Sequence, residues 1–277
     1  MATPWDRAAE GYLEEWVPRF VPYHVDLLQE AALCPGDRVL VTSAGPGAEV
    51  LAVARSVGAA GFVRATDRSA EMVRICRERI AKARLATPVD CAQADAAEAG
   101  GGPWDAVLCA FGLWQLSRRV EVLRSWRESL APDGKVALVT WGPSEAAEPF
   151  QILSACLREL EPALAAPDPH VHAERGAMAG MFGEAGLAMV RHTIVRHTLT
   201  FRSAEEFVSA MRESCTWRRL WEEMGDARMQ RVAALFYERI GGPGRALSFD
   251  PPATIAIGVP PGAEVALRNR PSVRAPG

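Results

Sequence analysis

The chain has 277 residues, 49% of them hydrophobic and 23% charged, with a formal net charge of −3. That length fits one large α/β domain, or one such domain with a sizeable insertion, and the composition is that of a chain able to bury a core. The slightly acidic balance without long Lys/Arg runs excludes the footprint of a nucleic-acid binder; no apolar run reaches the ~20 residues of a bilayer span, and the N-terminus has no basic-then-apolar leader.

A small-molecule partner and a cytoplasmic location are therefore expected. Cys34, Cys76, Cys91, Cys109, Cys156 and Cys215 form no C-x-x-C pair and have no His at ligand spacing, so neither a metal site nor a disulfide framework is expected.

Residues 1–36 read as two amphipathic helices. Trp5, Ala8, Tyr12 and Trp16 recur every three or four residues, a second apolar face runs over 21–33, and Cys34-Pro35-Gly36-Asp37 stops it. A β-branched run at 38–42 then meets Ser43-Ala44-Gly45-Pro46-Gly47 and a helical stretch over 48–56. Strands at 62–66, 89–94 and 104–110 alternate with helices at 70–82 and 119–130, and Pro132-Asp133-Gly134 turns the chain into a strand at 135–141. Such alternation implies a Rossmann-like, mostly parallel sheet of the α/β class with helices on both faces and a ligand at the C-terminal ends of the strands.

After Gly142 the rhythm changes. A helix over 147–160, a Pro-rich stretch to 169 and a helix over 174–185 lead to one strand at 188–201. Ser203 and Glu206 have capping-box spacing for a further helix, two more run to 240, and a last strand covers 254–259. The expected plan is a seven-stranded core (1–146, 186–202 and 250–262) with a helical cap or substrate region (147–185 and 203–245).

Gly45-Pro46-Gly47 lies between strand and helix, where glycine permits positive φ and the helix N–H groups favour a carboxylate. Val50 stands where a dinucleotide loop has its third glycine, and no Gly-Lys-Ser/Thr follows, so neither that loop nor a P-loop is indicated. Asp67, ending the second strand, can accept hydrogen bonds from both hydroxyls of a ribose, or serve as the cap of the next helix. Asp95, after the third strand, can accept from an adenine amino group or face solvent as a loop residue. Together the three strand ends form one constellation.

His170 and His172, in the Pro-rich connection, are the candidate general bases, with a solvated loop pair as the rival reading. Tyr12, Tyr23, His24, Trp114 and Gln115 are candidates for lining an acceptor pocket, with core packing as the alternative for the aromatic ones.

The stretches Pro35-Gly36-Asp37-Arg38-Val39-Leu40 to Gly47, Ala65-Thr66-Asp67-Arg68-Ser69-Ala70-Glu71-Met72, Trp104-Asp105-Ala106-Val107-Leu108 and Leu130-Ala131-Pro132-Asp133-Gly134-Lys135-Val136 resemble class I S-adenosylmethionine (SAM)-dependent methyltransferases. Within that class the resemblance is to the quinone and natural-product branch, called UbiE-like or methyltransferase type 11, and it spans roughly residues 5–145. It implies SAM as cofactor, S-adenosylhomocysteine (SAH) as product and no metal. It further implies that Ser43, Ala44, Gly45 and Gly47 approach the methionine part, and that Asp67 holds the ribose. Arg68 and Met72 would flank adenine, Asp95 and the Ala96 backbone would read its edge, and Cys109 and Phe111 would line the methyl-donor side.

The chain departs from the family where the first strand usually ends in an acid followed two residues later by glycine: here stand Val41 and Ser43. The expected reaction is methyl transfer to a hydroxyl of a phenol, enol or polyketide-type natural product. C-methylation of a quinone or aromatic ring is the alternative, and a non-catalytic or cyclase-like SAM-binding protein is the reading from another class. An apolar cap face would equally serve as a homodimer surface.

Overall fold

The computed structural model describes residues 3–164, 169–170 and 173–263. Its strands are β1 (Arg38–Thr42), β2 (Phe62–Asp67), β3 (Val89–Gln93), β4 (Trp104–Ala110), β5 (Leu130–Trp141), β6 (Ala188–Arg196), β7 (Leu199–Phe201), β8 (Leu247–Phe249) and β9 (Pro252–Val259). Seven of them form one sheet in the order β3-β2-β1-β4-β5-β9-β6, with β9 antiparallel to both its neighbours; β7 and β8 pair separately. The helices are α1 (Pro4–Glu15), α2 (Val17–Ala31), α3 (Ala48–Val57), α4 (Ala70–Ala83), α5 (Arg119–Glu128), α6 (Pro149–Leu160), α7 (Arg175–Glu184), α8 (Ala204–Arg212), α9 (Cys215–Met224) and α10 (Asp226–Ile240).

Strand side chains alternate between faces, so continuous apolar runs feed two cores. Val39, Val41, Ala106, Leu108, Ala137, Val139, Ile255 and Ile257 point to one face, packed with Tyr23 and Leu27 of α2 and Val50 and Val53 of α3. Leu40, Val107, Cys109, Val136, Leu138 and Ala256 point to the other, packed with Leu123 and Trp126 of α5. The first core continues into the cap through Phe150, Phe207 and Phe236, whose rings lie 5.4 Å apart at each step.

Three sequence expectations are corrected. Pro132-Asp133-Gly134, expected as a turn before a strand, lies inside β5, where the register with β4 jumps from Trp104↔Leu130 to Ala106↔Lys135. The turn is thus absorbed as a bulge, and a Cβ on Gly134 would sit 2.6 Å from the Trp104 carbonyl oxygen. The single strand expected at 188–201 is two strands. Pairing of β6 with β9 ends at Arg196↔Pro252, because Pro251 and Pro252 have no N–H to extend the ladder, and β7 turns away to meet β8. Finally, α7, expected in the cap, packs on the sheet: Met178, Met181 and Phe182 fill the second core, and a Cβ on Gly258 would come within 2.2 Å of the Phe182 ring.

Candidate functional site

The first crossover builds a cradle. Ser43 (φ 51°), Gly45 (φ 53°) and Gly47 (φ 75°) all take left-handed backbone between β1 and α3. A Cβ placed on Gly45 would meet nothing within 4 Å, and this residue lines a cavity of about 280 Å³ at the C-terminal end of the sheet. The Asp67 carboxylate, on the same wall, accepts from the Gly45 N–H (2.9 Å) through Oδ2 and from the Ser69 N–H (2.8 Å) through Oδ1. It clamps the glycine turn to the start of α4 and still has lone pairs for incoming hydroxyls. Burial raises its pKa, against the pull of those backbone donors.

The loop after β3 forms the opposite wall with Asp95 and Ala96. It is held from the second core: Trp126 Nε1 donates to the Ala96 carbonyl (2.6 Å), Trp104 Nε1 to that of Ala99 (2.9 Å) and Ser125 Oγ to that of Ala97 (2.5 Å). Helix α1 covers the cavity with Thr3, Pro4, Trp5 and Tyr12. It is pinned there by Asp6, whose Oδ1 accepts from Ser69 Oγ (2.6 Å), and by Trp5 Nε1, which donates to Gln115 Oε1 (3.0 Å).

A second cavity of about 520 Å³ shares Trp5, Tyr12, Phe111, Gln115 and Cys215 with the first. Its other walls include Trp16, Phe20, Trp114, Trp141, Phe150 and Trp217, with Glu148, Gln151, Arg158 and His170 among the polar side chains. A nucleoside-sized cleft therefore abuts an aromatic chamber.

Of the residues expected around a cofactor, Ser43, Gly45, Asp67, Arg68, Met72, Asp95, Ala96 and Phe111 line the smaller cavity. Ala44, Gly47 and Cys109 are not on its wall. Ala44 is buried and donates its N–H to the Thr66 carbonyl (2.9 Å). Gly47 faces α4, where a Cβ would lie 2.5 Å from Cys76 Sγ, so helix packing rather than a ligand requires glycine there. Cys109 is wholly buried and belongs to the second core.

Among the expected pocket residues, Tyr12, Trp114 and Gln115 line the larger cavity. Tyr23 and His24 are core residues instead. The Tyr23 hydroxyl donates to the Pro251 carbonyl (2.7 Å), tying α2 to the entry of β9, and the His24 ring packs 6.3 Å from that of Phe111. His170 is on the chamber wall, with Nδ1 2.5 Å from the Gly142 carbonyl and Nε2 2.9 Å from Gln151 Nε2. The carbonyl makes Nδ1 the donor, so Nε2 accepts from the Gln151 amide. His172 lies outside the described residues. Sequence reasoning passed over Glu148, Gln151, Trp141, Phe150 and Cys215, which the chain brings in from β5, α6 and α9. Glu148-Pro149 reads in sequence as an ordinary helix start, and nothing local distinguishes it.

Two buried ionisable groups lie behind the cradle. Burial, helped by the charge of Arg79, lowers the His24 pKa to about 4, and burial raises that of Glu49 to about 8. Relative to the unfolded chain, His24 removes stability as pH falls from about 6.5 to about 4, whereas Glu49 removes it as pH rises from about 4.5 to about 8. The two slopes oppose each other near pH 5–7, so the native curve is expected to be shallow there. Glu49→Gln should unmask a loss of about 2 kcal/mol between pH 7 and pH 5, and His24→Leu the opposite slope, both read from urea midpoints. Parallel curves for the two variants would refute the assignment.

Residues 39–134 match the family described as a methyltransferase domain. The ubiquinone/menaquinone biosynthesis C-methyltransferase UbiE of Ralstonia pickettii (strain 12J) is 32% identical over 124 residues, which are 43% of this chain and 51% of that protein. The chain thus spans about half the length of the curated relatives it matches. A SAM-dependent methyltransferase from Aquifex aeolicus shares the fold, with a TM-score of 0.53 at 19% identity over 67% of this chain and 91% of its own. So does the [4+2]-cyclase SpnF, with a TM-score of 0.58 at 15% identity over 87% and 81%.

Proposed function

We propose that this chain, whose residues 39–134 match a methyltransferase-domain family, is a class I, SAM-dependent enzyme that transfers a methyl group to a small planar acceptor held in the aromatic chamber. The observation that carries this reading is the shared wall of Trp5, Tyr12, Phe111, Gln115 and Cys215, which sets a nucleoside-sized cleft directly against a chamber of about 520 Å³. The residues present suit SAM. Gly45 leaves open space where a Cβ would stand, Asp67 offers oxygens to ribose hydroxyls, and the loop at Asp95 and Ala96 closes the adenine end.

When bound, SAM supplies an electrophilic methyl on a sulfonium. In-line displacement needs alignment and exclusion of water more than a fixed catalytic motif. Phe111 and Tyr12 separate the two cavities and define the line of approach. Helix α1 lines the cleft with Pro4, Trp5 and Tyr12, and the rings of Trp16, Phe20, Trp141 and Phe150 suit a flat acceptor. His170 and Gln151 satisfy each other and brace the chamber at Gly142.

A hydroxyl acceptor is our primary reading. The likeness to UbiE over residues of the cofactor half favours transfer to carbon of a quinone-type ring as the second. A protein that binds SAM without methyl transfer, which Val41 and Ser43 bring into view, is the third.

The test is binding of SAM and SAH beside NADH, followed by mass analysis of products from a panel of phenols and quinols. Saturating SAH, at about 100 times its Kd, should add roughly 2.7 kcal/mol of stability and raise Tm by several degrees, with no response to NADH. Absence of any shift with SAM or SAH would refute the reading. Methyl ether products favour oxygen, and ring-methylated products favour carbon.

A further inference from the structure

We propose that Glu148 is the proton acceptor of the reaction, its carboxylate receiving the hydrogen bond and then the proton of a hydroxyl on the aromatic acceptor. This rests on the methyltransferase reading above.

Glu148 occupies the N-cap position of α6, yet its side chain makes no capping hydrogen bond. The side chain lines the chamber, only 7% exposed, and among the described residues Oε1 reaches no hydrogen-bond partner. A buried carboxylate oxygen without a donor is costly, and a ligand that brings one removes the cost. The chamber around it is built from Trp16, Phe20, Phe111, Trp141 and Phe150, so the ligand that brings the donor is flat and largely apolar.

The neighbouring polar groups leave this role to Glu148. His170 and Gln151 are engaged with each other, and Arg158 is a donor with no acceptor capacity. Trp114 Nε1 is a buried donor with no partner among the described residues, and Trp114 lies on the same chamber wall, where it suits a second oxygen of the acceptor. Burial and the nearby charge of Glu145 raise the Glu148 pKa, against the pull of a backbone hydrogen bond at Glu145 and of Arg196, which brings the carboxylate nearer to the basicity a phenol requires. The same carboxylate repels an acceptor that is already anionic at that end.

In the step itself the acceptor's oxygen forms the new C–O bond as the C–S bond breaks, with that electron pair remaining on sulfur. The hydroxyl proton passes to Glu148, and from there to solvent. The sulfonium charge is thereby replaced by one released proton, so charge and atoms balance.

The test uses 4-nitrophenol and 4-nitroanisole, which differ by the hydroxyl proton, with the full chain in saturating SAH. By calorimetry at pH 6, the wild type is expected to bind the phenol roughly tenfold more tightly than the ether, and Glu148→Leu should abolish that preference. By absorbance, bound 4-nitrophenol should ionise at higher pH in the wild type than in Glu148→Gln, because the neutral amide no longer opposes the phenolate. Equal affinity for the two probes in the wild type, a preference that survives Glu148→Leu, or identical ionisation in wild type and Glu148→Gln would each overturn the proposal. SAH binding, measured first on each protein, should be unchanged. Its absence in the wild type would overturn the methyltransferase reading, while the probe comparison, repeated without SAH, would still judge Glu148.

Discussion

Asp67→Ala should weaken SAH binding by at least about 100-fold. The substitution removes the anionic acceptor proposed for two ribose hydroxyls, and hydrogen bonds to a charged group are worth about 1.5–3 kcal/mol each. It also frees the N–H groups of Gly45 and Ser69, which the carboxylate holds at 2.9 and 2.8 Å, so the glycine turn loses its tie to α4. Asp67→Asn should fall between, because an amide keeps one acceptor oxygen but turns an N–H₂ toward a backbone donor. Asp95→Ala, at an exposed position whose Oδ1 accepts only from the nearby Ala97 N–H, should cost roughly tenfold. Calorimetry with SAH decides. A Kd for Asp67→Ala within threefold of the wild type would mean that the 280 Å³ cavity is not the nucleoside site.

Trp126→Ala is expected to produce the largest loss of stability, about 3–5 kcal/mol, read as a fall in the urea midpoint at constant slope. The indole is wholly buried in the core between the sheet and α5, and no neighbour can fill the space of an aromatic side chain. Trp126→Phe separates packing from hydrogen bonding. It retains much of the ring volume but leaves the Ala96 carbonyl without its donor at 2.6 Å, at about 1 kcal/mol. Because Ala96 lines the 280 Å³ cleft proposed for the cofactor, this milder variant should also lower SAH affinity several-fold. A phenylalanine variant with native SAH affinity would show that the loop is positioned without this bond.

The cofactor half was legible in the sequence because its signals are local. The β-branched run before Ser43, the glycines that take positive φ, Asp67 at the end of β2 and Asp95 just after β3 are each read from a few residues at a strand end. The parallel sheet then brings those strand ends side by side, since β3, β2, β1 and β4 are neighbours in that order. The same local logic does not tell what a glycine is for: Gly47 packs against Cys76, where a Cβ would lie 2.5 Å from Sγ, and a glycine that admits a ligand looks the same in sequence.

The chamber was not legible. Its walls come from α1, α2, β5, α6 and α9, joined by contacts such as Trp16 Nε1 to the Ala210 carbonyl at 2.8 Å, and no period or motif encodes which aromatic residues converge. Tyr23 and His24 show this directly. They share one face of α2 with Phe20, yet the helix rise of about 1.5 Å per residue carries them roughly 5 Å further along the axis, so Phe20 borders the chamber while they stay in the core. The sequence by itself determined the alternating α/β order and which strand-end residues meet at one cavity, because hydrophobic periodicity and backbone conformation act over a few residues. Only the tertiary structure decided that the Pro251-Pro252 end of the ladder sends β7 away from β9 to meet β8, that α7 belongs to the sheet, and that Glu148 turns Oε1 into an aromatic chamber with no donor for it among the described residues. Those outcomes depend on which surfaces meet, and that is set by packing between segments far apart in the chain.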